Sequence, residues 1–88
     1  MLRKKIQVTN KYGLHARPCS LLVKTASKFR SEIKIQKDEM LVNGKSIMGV
    51  MMLAAECGSE LEFIVDGVDE AEALETVESL FISRFNEE

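Results

Sequence analysis

The chain has 88 residues, of which 45% are hydrophobic and 30% are charged, and its formal net charge is −2. These values are typical of one small globular domain with a modest core, and they argue against disorder and against nucleic-acid binding. No apolar run reaches the ~20 residues of a membrane span, and no apolar stretch follows the basic N-terminus as in a signal peptide, so we expect a single cytoplasmic domain over residues 1–88.

The hydrophobic pattern alternates between the strand and the helix period along the first half of the chain. Leu2, Ile6 and Val8 fall on one side of a period-2 alternation over residues 2–8, which predicts a strand. Residues 10–14 predict a loop. Apolar residues at helical spacing predict a first helix over residues 16–29. A second strand around residues 33–35 and a short third strand at residues 40–42 follow, with a turn between them.

The second half contains two helix starts and one strand. Ser46 is predicted to cap a short helix over residues 47–53, and the alternation at residues 61–65 predicts a fourth strand. Asp69, with Glu72 three residues later, predicts a carboxylate version of the capping box at the start of the last helix.

The last helix is predicted to run to about Phe85, which completes the element order β-α-β-β-α-β-α. Strands this few and this short cannot be covered on both faces in a chain of this size. We therefore predict an α+β fold, an antiparallel sheet with the helices on one face and the other face in water.

His15 is the only histidine of the chain and stands where the loop meets the first predicted helix. The unpaired backbone N–H groups of the first turn, those of Ala16 and Arg17, and the helix dipole favour an anion there and a neutral, nucleophilic imidazole. The Arg17 guanidinium could hold phosphate oxygens. From spacing alone, however, a plain helix cap with a basic neighbour is the favoured interpretation. No metal site is predicted, and Cys19 and Cys57 are expected to be free, largely packed thiols.

Ile47, Met48 and Met51 fall at helical spacing directly after Ser46. Core packing is the ordinary interpretation of such a set, and it suits Val50 well. A helix this short cannot bury every side, however, and methionine is adaptable. We therefore expect these three residues to form an exposed apolar patch beside His15 that several partners use for docking.

Two segments resemble a known family. Residues 13–18, GLHARP, are similar to the segment around the active histidine of the HPr family, the histidine-containing phosphocarriers of the bacterial phosphoenolpyruvate-dependent sugar phosphotransferase system. Residues 43–53, NGKSIMGVMML, resemble the regulatory-serine region of HPr from Gram-positive-type bacteria. The resemblance extends over essentially the whole chain in length, element order and motif position.

The resemblance implies an open-faced β-sandwich with the strand order 1-4-2-3 and three helices. It implies that His15 accepts phosphate at Nδ1 from Enzyme I, with phosphoenolpyruvate as ultimate donor, and passes it to EIIA components, while Arg17 stabilises the phosphate. It also implies that HPr kinase/phosphorylase modifies Ser46 and that catabolite control protein A binds the modified form. Such a protein is a carrier rather than an independent enzyme, needs no cofactor, and is expected to be a monomer.

Some positions depart from the common pattern of the family. Tyr12 is bulkier than the small polar residue often found there, Ala54 stands where Gly is usual, and Cys57 replaces a frequent Lys. Residues 83–88 are more similar to the nitrogen-branch carriers, which leaves open a nitrogen-branch or purely regulatory carrier in an incomplete phosphotransferase system. The Ser46 motif argues against that branch. A pure interaction module is disfavoured because such paralogues lack the active histidine.

Overall fold

A computed structural model describes residues 1–86, so the last two residues of the expected domain and of the 83–88 segment lie outside it. The sheet consists of four strands: β1 (Leu2–Gln7), β2 (Glu32–Lys37), β3 (Met40–Asn43) and β4 (Glu60–Asp66). The helices are α1 (Ala16–Ala26), α2 (Ile47–Met52) and α3 (Glu70–Ile82). All strand pairs are antiparallel and the order is β1-β4-β2-β3, which confirms the order that the resemblance implied.

Burial alternates along the two inner strands of the sheet. The inward residues are Leu61, Phe63 and Val65 on β4 and Ile33 and Ile35 on β2. They belong to one core cluster that also contains buried residues from α1, α2 and α3. The helices therefore cover one face, and the alternate residues of the strands look out from the other. Within residues 1–86, no helix has the length and the apolar character needed to cross a membrane.

The first helix is shorter than predicted, because α1 ends at Ala26 instead of near Phe29. After it the amides of Lys28 and Phe29 donate to carbonyls only three residues back, at 3.1 and 3.2 Å. These bonds tighten the chain into turns, as at many helix ends. Phe29 still packs against the core from this turn, and that is why its spacing imitated a longer helix.

The last helix is also shorter than predicted and ends at Ile82. Arg84, Phe85 and Asn86 have φ angles of 54, 57 and 58°, in the left-handed region, so they cannot continue α3. Phe85 is nevertheless buried, with its ring centroid 4.9 Å from that of Phe81. The apolar character of Phe85 correctly predicted that it is buried, but the helical backbone predicted for it was wrong.

The predicted capping box at Asp69 is wrong. Asp69 is the N-cap residue of α3, but its side chain makes no capping bond to the helix. Its carboxylate accepts hydrogen bonds from the amides of Arg30 and Ser31, both at 2.9 Å, and from the Ser31 hydroxyl. Glu70, rather than Glu72, bonds near the helix start and accepts from the amide of Gly67 at 3.1 Å. Asp69 thus joins the start of α3 to the segment before β2.

These hydrogen bonds make the free energy of unfolding depend on pH in the acid range. The Ser31 hydroxyl and then the Arg30 amide lower the pKa of the Asp69 carboxyl from 3.8 to about 2. The pKa of this carboxyl is lower in the folded chain than in the unfolded chain. Its ionised form therefore contributes fully to the free energy of unfolding above the unfolded pKa, and this contribution is lost as the pH falls through the folded pKa.

We therefore predict that the stability difference between the wild type and Asp69→Asn is largest above about pH 4 and shrinks towards about pH 2. Urea unfolding over this range measures it. Asp38→Asn, the same change in an exposed turn, serves as the control and should give a difference that is small throughout. A constant difference between Asp69→Asn and the wild type over the whole range would contradict the prediction.

Candidate functional site

His15 stands at the junction between the loop and α1. It is the N-cap residue, with an extended backbone at φ −80° and ψ −175°, and its carbonyl accepts from the amide of Cys19 at 3.0 Å. Its side chain makes no capping hydrogen bond to the described helix, and the residue is exposed. The helix thus fixes the backbone of His15 while the imidazole remains accessible to a partner protein.

The first turn of α1 offers two backbone donors beside His15. Helical geometry leaves the amides of Ala16 and Arg17 without an acceptor inside the helix. The next residue, Pro18, has no N–H, and the amide of Cys19 already donates to His15. Because Ala16 and Arg17 are exposed, an anion on the imidazole would meet these two donors and the positive end of the helix dipole.

Hydrogen bonds fix the loop that leads into His15. Asn10 is buried, its side-chain amide donates to the carbonyl of Gly13 at 2.6 Å, and its own carbonyl accepts from the Gly13 amide at 3.1 Å. The amide of Leu14 donates to the carbonyl of Ala55, in the segment after α2, at 2.8 Å. The sequence pattern predicts Asn10 only as part of a loop. Its turn-forming chemistry three residues before a glycine is the signal that could have identified it.

Gly13 brings the loop against the segment after α2. Its φ is +66°, and a Cβ built on it would lie 2.4 Å from the carbonyl oxygen of Ala55. Any larger residue would therefore have to push these two stretches of backbone apart. The position of His15 relative to α2 depends on this close approach.

An aromatic side chain, Tyr12, contacts the imidazole from the loop. The Tyr12 ring makes an edge-to-face contact with it, with centroids 6.3 Å apart and an interplanar angle of 81°. The Lys11 ammonium lies over the Tyr12 ring, 5.3 Å from its centroid. In the sequence, Tyr12 stands out only as a departure from the common pattern of the family, and that pattern does not predict this contact.

Arg17 lines a groove between α1 and the residues that follow α3. The groove has a volume of about 350 Å³ and is lined by Arg17, Pro18, Ser20, Leu21, Lys24, Phe85 and Asn86. Two cations thus border apolar surface beside the candidate site. The left-handed turn after α3 closes the groove, and helix periodicity did not predict that turn.

The two cysteines are free, as predicted, but they differ in burial. Cys19 is buried, its thiol lies 3.1 Å from the carbonyl oxygen of Leu14, and burial raises its pKa. Cys57 is exposed, so the expectation of a packed thiol is wrong for it, because it lies in the loop between α2 and β4. Among residues 1–86, no cluster of His, Cys, Asp or Glu side chains is suited to hold a metal ion.

Ser46 is the N-cap of α2, and its hydroxyl accepts from the amide of Gly49 at 3.1 Å, which confirms the predicted cap. The preceding residue, Lys45, extends its ammonium to the carbonyl of Phe29, at 2.7 Å. Ser46 is half-buried, and most residues of the helix that it caps are exposed.

The predicted apolar patch is exposed. The exposed fractions are 44% for Ile47, 72% for Met48 and 46% for Met51. Met52 extends the patch at 61% and was not predicted, whereas Val50 is fully buried in the core as expected. α2 packs against α1, and the hydrogen bond between Leu14 and Ala55 joins the segment after α2 to the loop before His15.

The close approach at Gly13 gives a prediction with a built-in control. Gly13→Ala should lower the free energy of unfolding by more than the ~1–2 kcal/mol that a left-handed alanine costs, because its methyl group also collides with Ala55. Gly58 likewise has a positive φ, but a Cβ there meets no described heavy atom within 4 Å. Gly58→Ala should therefore show the backbone cost alone. Urea unfolding of both variants measures the difference, and equal losses would contradict the prediction.

Comparison with known proteins assigns the chain to a family. A family model described as "PTS HPr component phosphorylation site" matches residues 2–83. Phosphocarrier protein HPr of Treponema pallidum (strain Nichols) is 52% identical over 88 residues, 100% of both chains. HPr-like protein Crh of Bacillus subtilis (strain 168) is 48% identical over 75 residues, 85% of this chain and 88% of Crh. The crystal structure of HPr-C-His from Thermoanaerobacter tengcongensis has a TM-score of 0.96 at 46% identity, covering 100% of this chain and 99% of that one. The chain therefore belongs to the HPr family, the phosphocarrier proteins of the phosphotransferase system.

Proposed function

We propose that this chain accepts a phosphoryl group on Nδ1 of His15 from Enzyme I, with phosphoenolpyruvate as ultimate donor, and passes it to EIIA components. The observation that supports this most is the exposed imidazole at the N-cap of α1, next to the amides of Ala16 and Arg17. The proposal includes residues 1–88 as one monomeric domain in the cytoplasm, a carrier without an enzymatic activity of its own.

The transfer needs a neutral imidazole and a place for negative charge. The lone pair of Nδ1 attacks phosphorus while the bond between phosphorus and the donor breaks, and its electron pair stays with the donor. The proton on Nε2 is not involved in this step. The phosphoryl oxygens then accept from the amides of Ala16 and Arg17, and the helix dipole favours the dianion.

Arg17 contributes charge in addition to its backbone amide. Its exposed guanidinium follows His15 by two residues and can form charge-assisted hydrogen bonds to phosphoryl oxygens. Because it also borders the groove beside α1, it can reach either the phosphate or an acidic group of a docked partner. We therefore assign it the role of stabilising the phosphate, with the backbone donors as the other part of the site.

The first experiment removes the acceptor and its cation in turn. His15→Ala should carry no acid-labile phosphate after incubation with Enzyme I and phosphoenolpyruvate, measured by mass. Arg17→Ala should slow transfer by about ten- to hundredfold without abolishing it, because the backbone donors remain. Lys28→Ala, which removes an exposed cation beyond the end of α1, is the control and should transfer normally. Phosphate retained on a folded His15→Ala variant would contradict the assignment.

The exposed patch of Ile47, Met48 and Met51 is proposed as the docking surface for Enzyme I, EIIA components and HPr kinase/phosphorylase. Exposed apolar side chains on a helix that packs against α1 favour partners with apolar contact surfaces. Methionine side chains adapt their shape, which suits one surface that binds several proteins in turn. Met52 enlarges the same surface.

Ser46 is proposed as the regulatory site modified by HPr kinase/phosphorylase with ATP. Phosphate there adds a charge of about −1.5 to −2 at pH 7. At a helix N-terminus this charge is tolerated, so α2 should persist. Docking of an apolar partner would have to desolvate the dianion, and this opposes phosphorylation of His15. A partner with basic residues, for which catabolite control protein A is the candidate, would instead bind the modified surface.

Charge on the patch can be separated from loss of the cap. Ser46→Asp should slow transfer from Enzyme I by about tenfold or more, with little change in circular dichroism or melting temperature. Ser46→Ala is the control, since it loses about 1 kcal/mol of capping but adds no charge and should transfer normally. Met48→Glu adds charge without touching the cap and should slow transfer like Ser46→Asp. Equal rates for Ser46→Asp and Ser46→Ala would rule the switch out.

A further inference from the structure

Tyr12 is a large aromatic residue that remains mostly in water and yet contacts the phosphoryl acceptor. Its exposed fraction is 70%, so core packing does not account for its position. Its ring meets the His15 ring edge-to-face at a centroid distance of 6.3 Å, inside the range in which such pairs attract. The contact therefore acts on the imidazole rather than on the core.

Two further contacts limit the freedom of the Tyr12 ring. The Lys11 ammonium lies over the ring at 5.3 Å from its centroid, within the distance of a cation–π interaction. The hydrogen bonds between Asn10 and Gly13 bracket residues 11 and 12 and fix the backbone from which the ring projects. Both the fixed backbone and the Lys11 ammonium therefore orient the Tyr12 ring. A ring held in this way can in turn restrict the rotation of the His15 imidazole.

We propose that Tyr12 is a positioning residue for His15, which holds the imidazole in the orientation that presents a phosphoryl group to the amides of Ala16 and Arg17 and so lengthens the lifetime of the phosphohistidine. The proposal rests on the proposed function of His15. It adds a residue of this chain that stands where the family often has a small polar side chain.

The reaction that this contact slows is hydrolysis. A water oxygen attacks phosphorus, the phosphorus–nitrogen bond breaks with its electron pair returning to the ring nitrogen, and inorganic phosphate leaves. Donors that hold the phosphoryl oxygens at the helix start stabilise the intact phosphohistidine. When the imidazole rotates away from these donors, the dianion loses their stabilisation and is more open to water. A ring that limits this rotation therefore slows the loss of phosphate.

The test compares proteins that have an aromatic ring at position 12 with a variant that lacks it. Wild type, Tyr12→Phe, Tyr12→Ser and the control Val68→Ser, which shortens an exposed side chain elsewhere, are charged with Enzyme I and phosphoenolpyruvate. They are then separated from the donor, and the decay of phosphohistidine is followed by mass. Tyr12→Ser should lose phosphate about two- to tenfold faster than wild type, whereas Tyr12→Phe keeps the ring contact and should restore the wild-type lifetime. Val68→Ser should behave as wild type.

A spectroscopic measurement on the uncharged proteins tests positioning directly. The imidazole proton signals of His15 should carry a ring-current shift in wild type and Tyr12→Phe that Tyr12→Ser lacks, while circular dichroism shows that all four chains are folded. Equal lifetimes for wild type and Tyr12→Ser, or a Tyr12→Phe variant as labile as Tyr12→Ser, would overturn the role of Tyr12 alone. A wild-type chain that takes no phosphate on His15 would overturn the acceptor assignment and this role with it.

Discussion

Burial on one side of the sheet is the constraint on which the rest of the molecule depends. The buried apolar residues of the inner strands all face one way, so α1, α2 and α3 have to share that face, where α1 packs against both α2 and α3. Sharing the face brings the segment after α2 against the loop before α1, where Leu14 and Ala55 are hydrogen-bonded and Gly13 leaves room for the contact. Two segments far apart in the sequence, the loop that leads into His15 and the stretch that follows α2, are thus brought into contact.

The candidate site is exposed and draws much of its polarity from the main chain. A carrier has to present the same phosphate to several proteins, so a closed cavity would defeat its purpose. Backbone amides at a helix start stabilise an anion without a bulky side chain in the way of a partner. His15, the first turn of α1 and the Arg17 guanidinium lie within one short exposed segment, and the apolar side chains of Ile47, Met48 and Met51 on α2 are exposed as well.

The periodicity of the chain predicted the element order and the one-sided sheet, and capping chemistry predicted the role of Ser46, because both are local properties. Strand order came from the family resemblance, since periodicity does not pair strands. Interactions between distant segments could not be predicted: the partners of Asp69 lie at Arg30 and Ser31, across the intervening strands. The departure at Ala54 has a visible consequence, because its φ of 48° is the left-handed geometry that Gly adopts without strain.

The place of β4 in the sheet has a consequence for how the protein is made. β4 follows the other three strands in the sequence, yet it lies between β1 and β2, and Leu2 of β1 pairs with Val65 of β4. Until β4 emerges from the ribosome, β2 with β3 is the one strand pair of this sheet that can form. β1 has to wait, unpaired, until β4 has been synthesised. Completion of the sheet is therefore coupled to the synthesis of β4, and a nascent chain that stops before β4 cannot form the four-stranded sheet or its core.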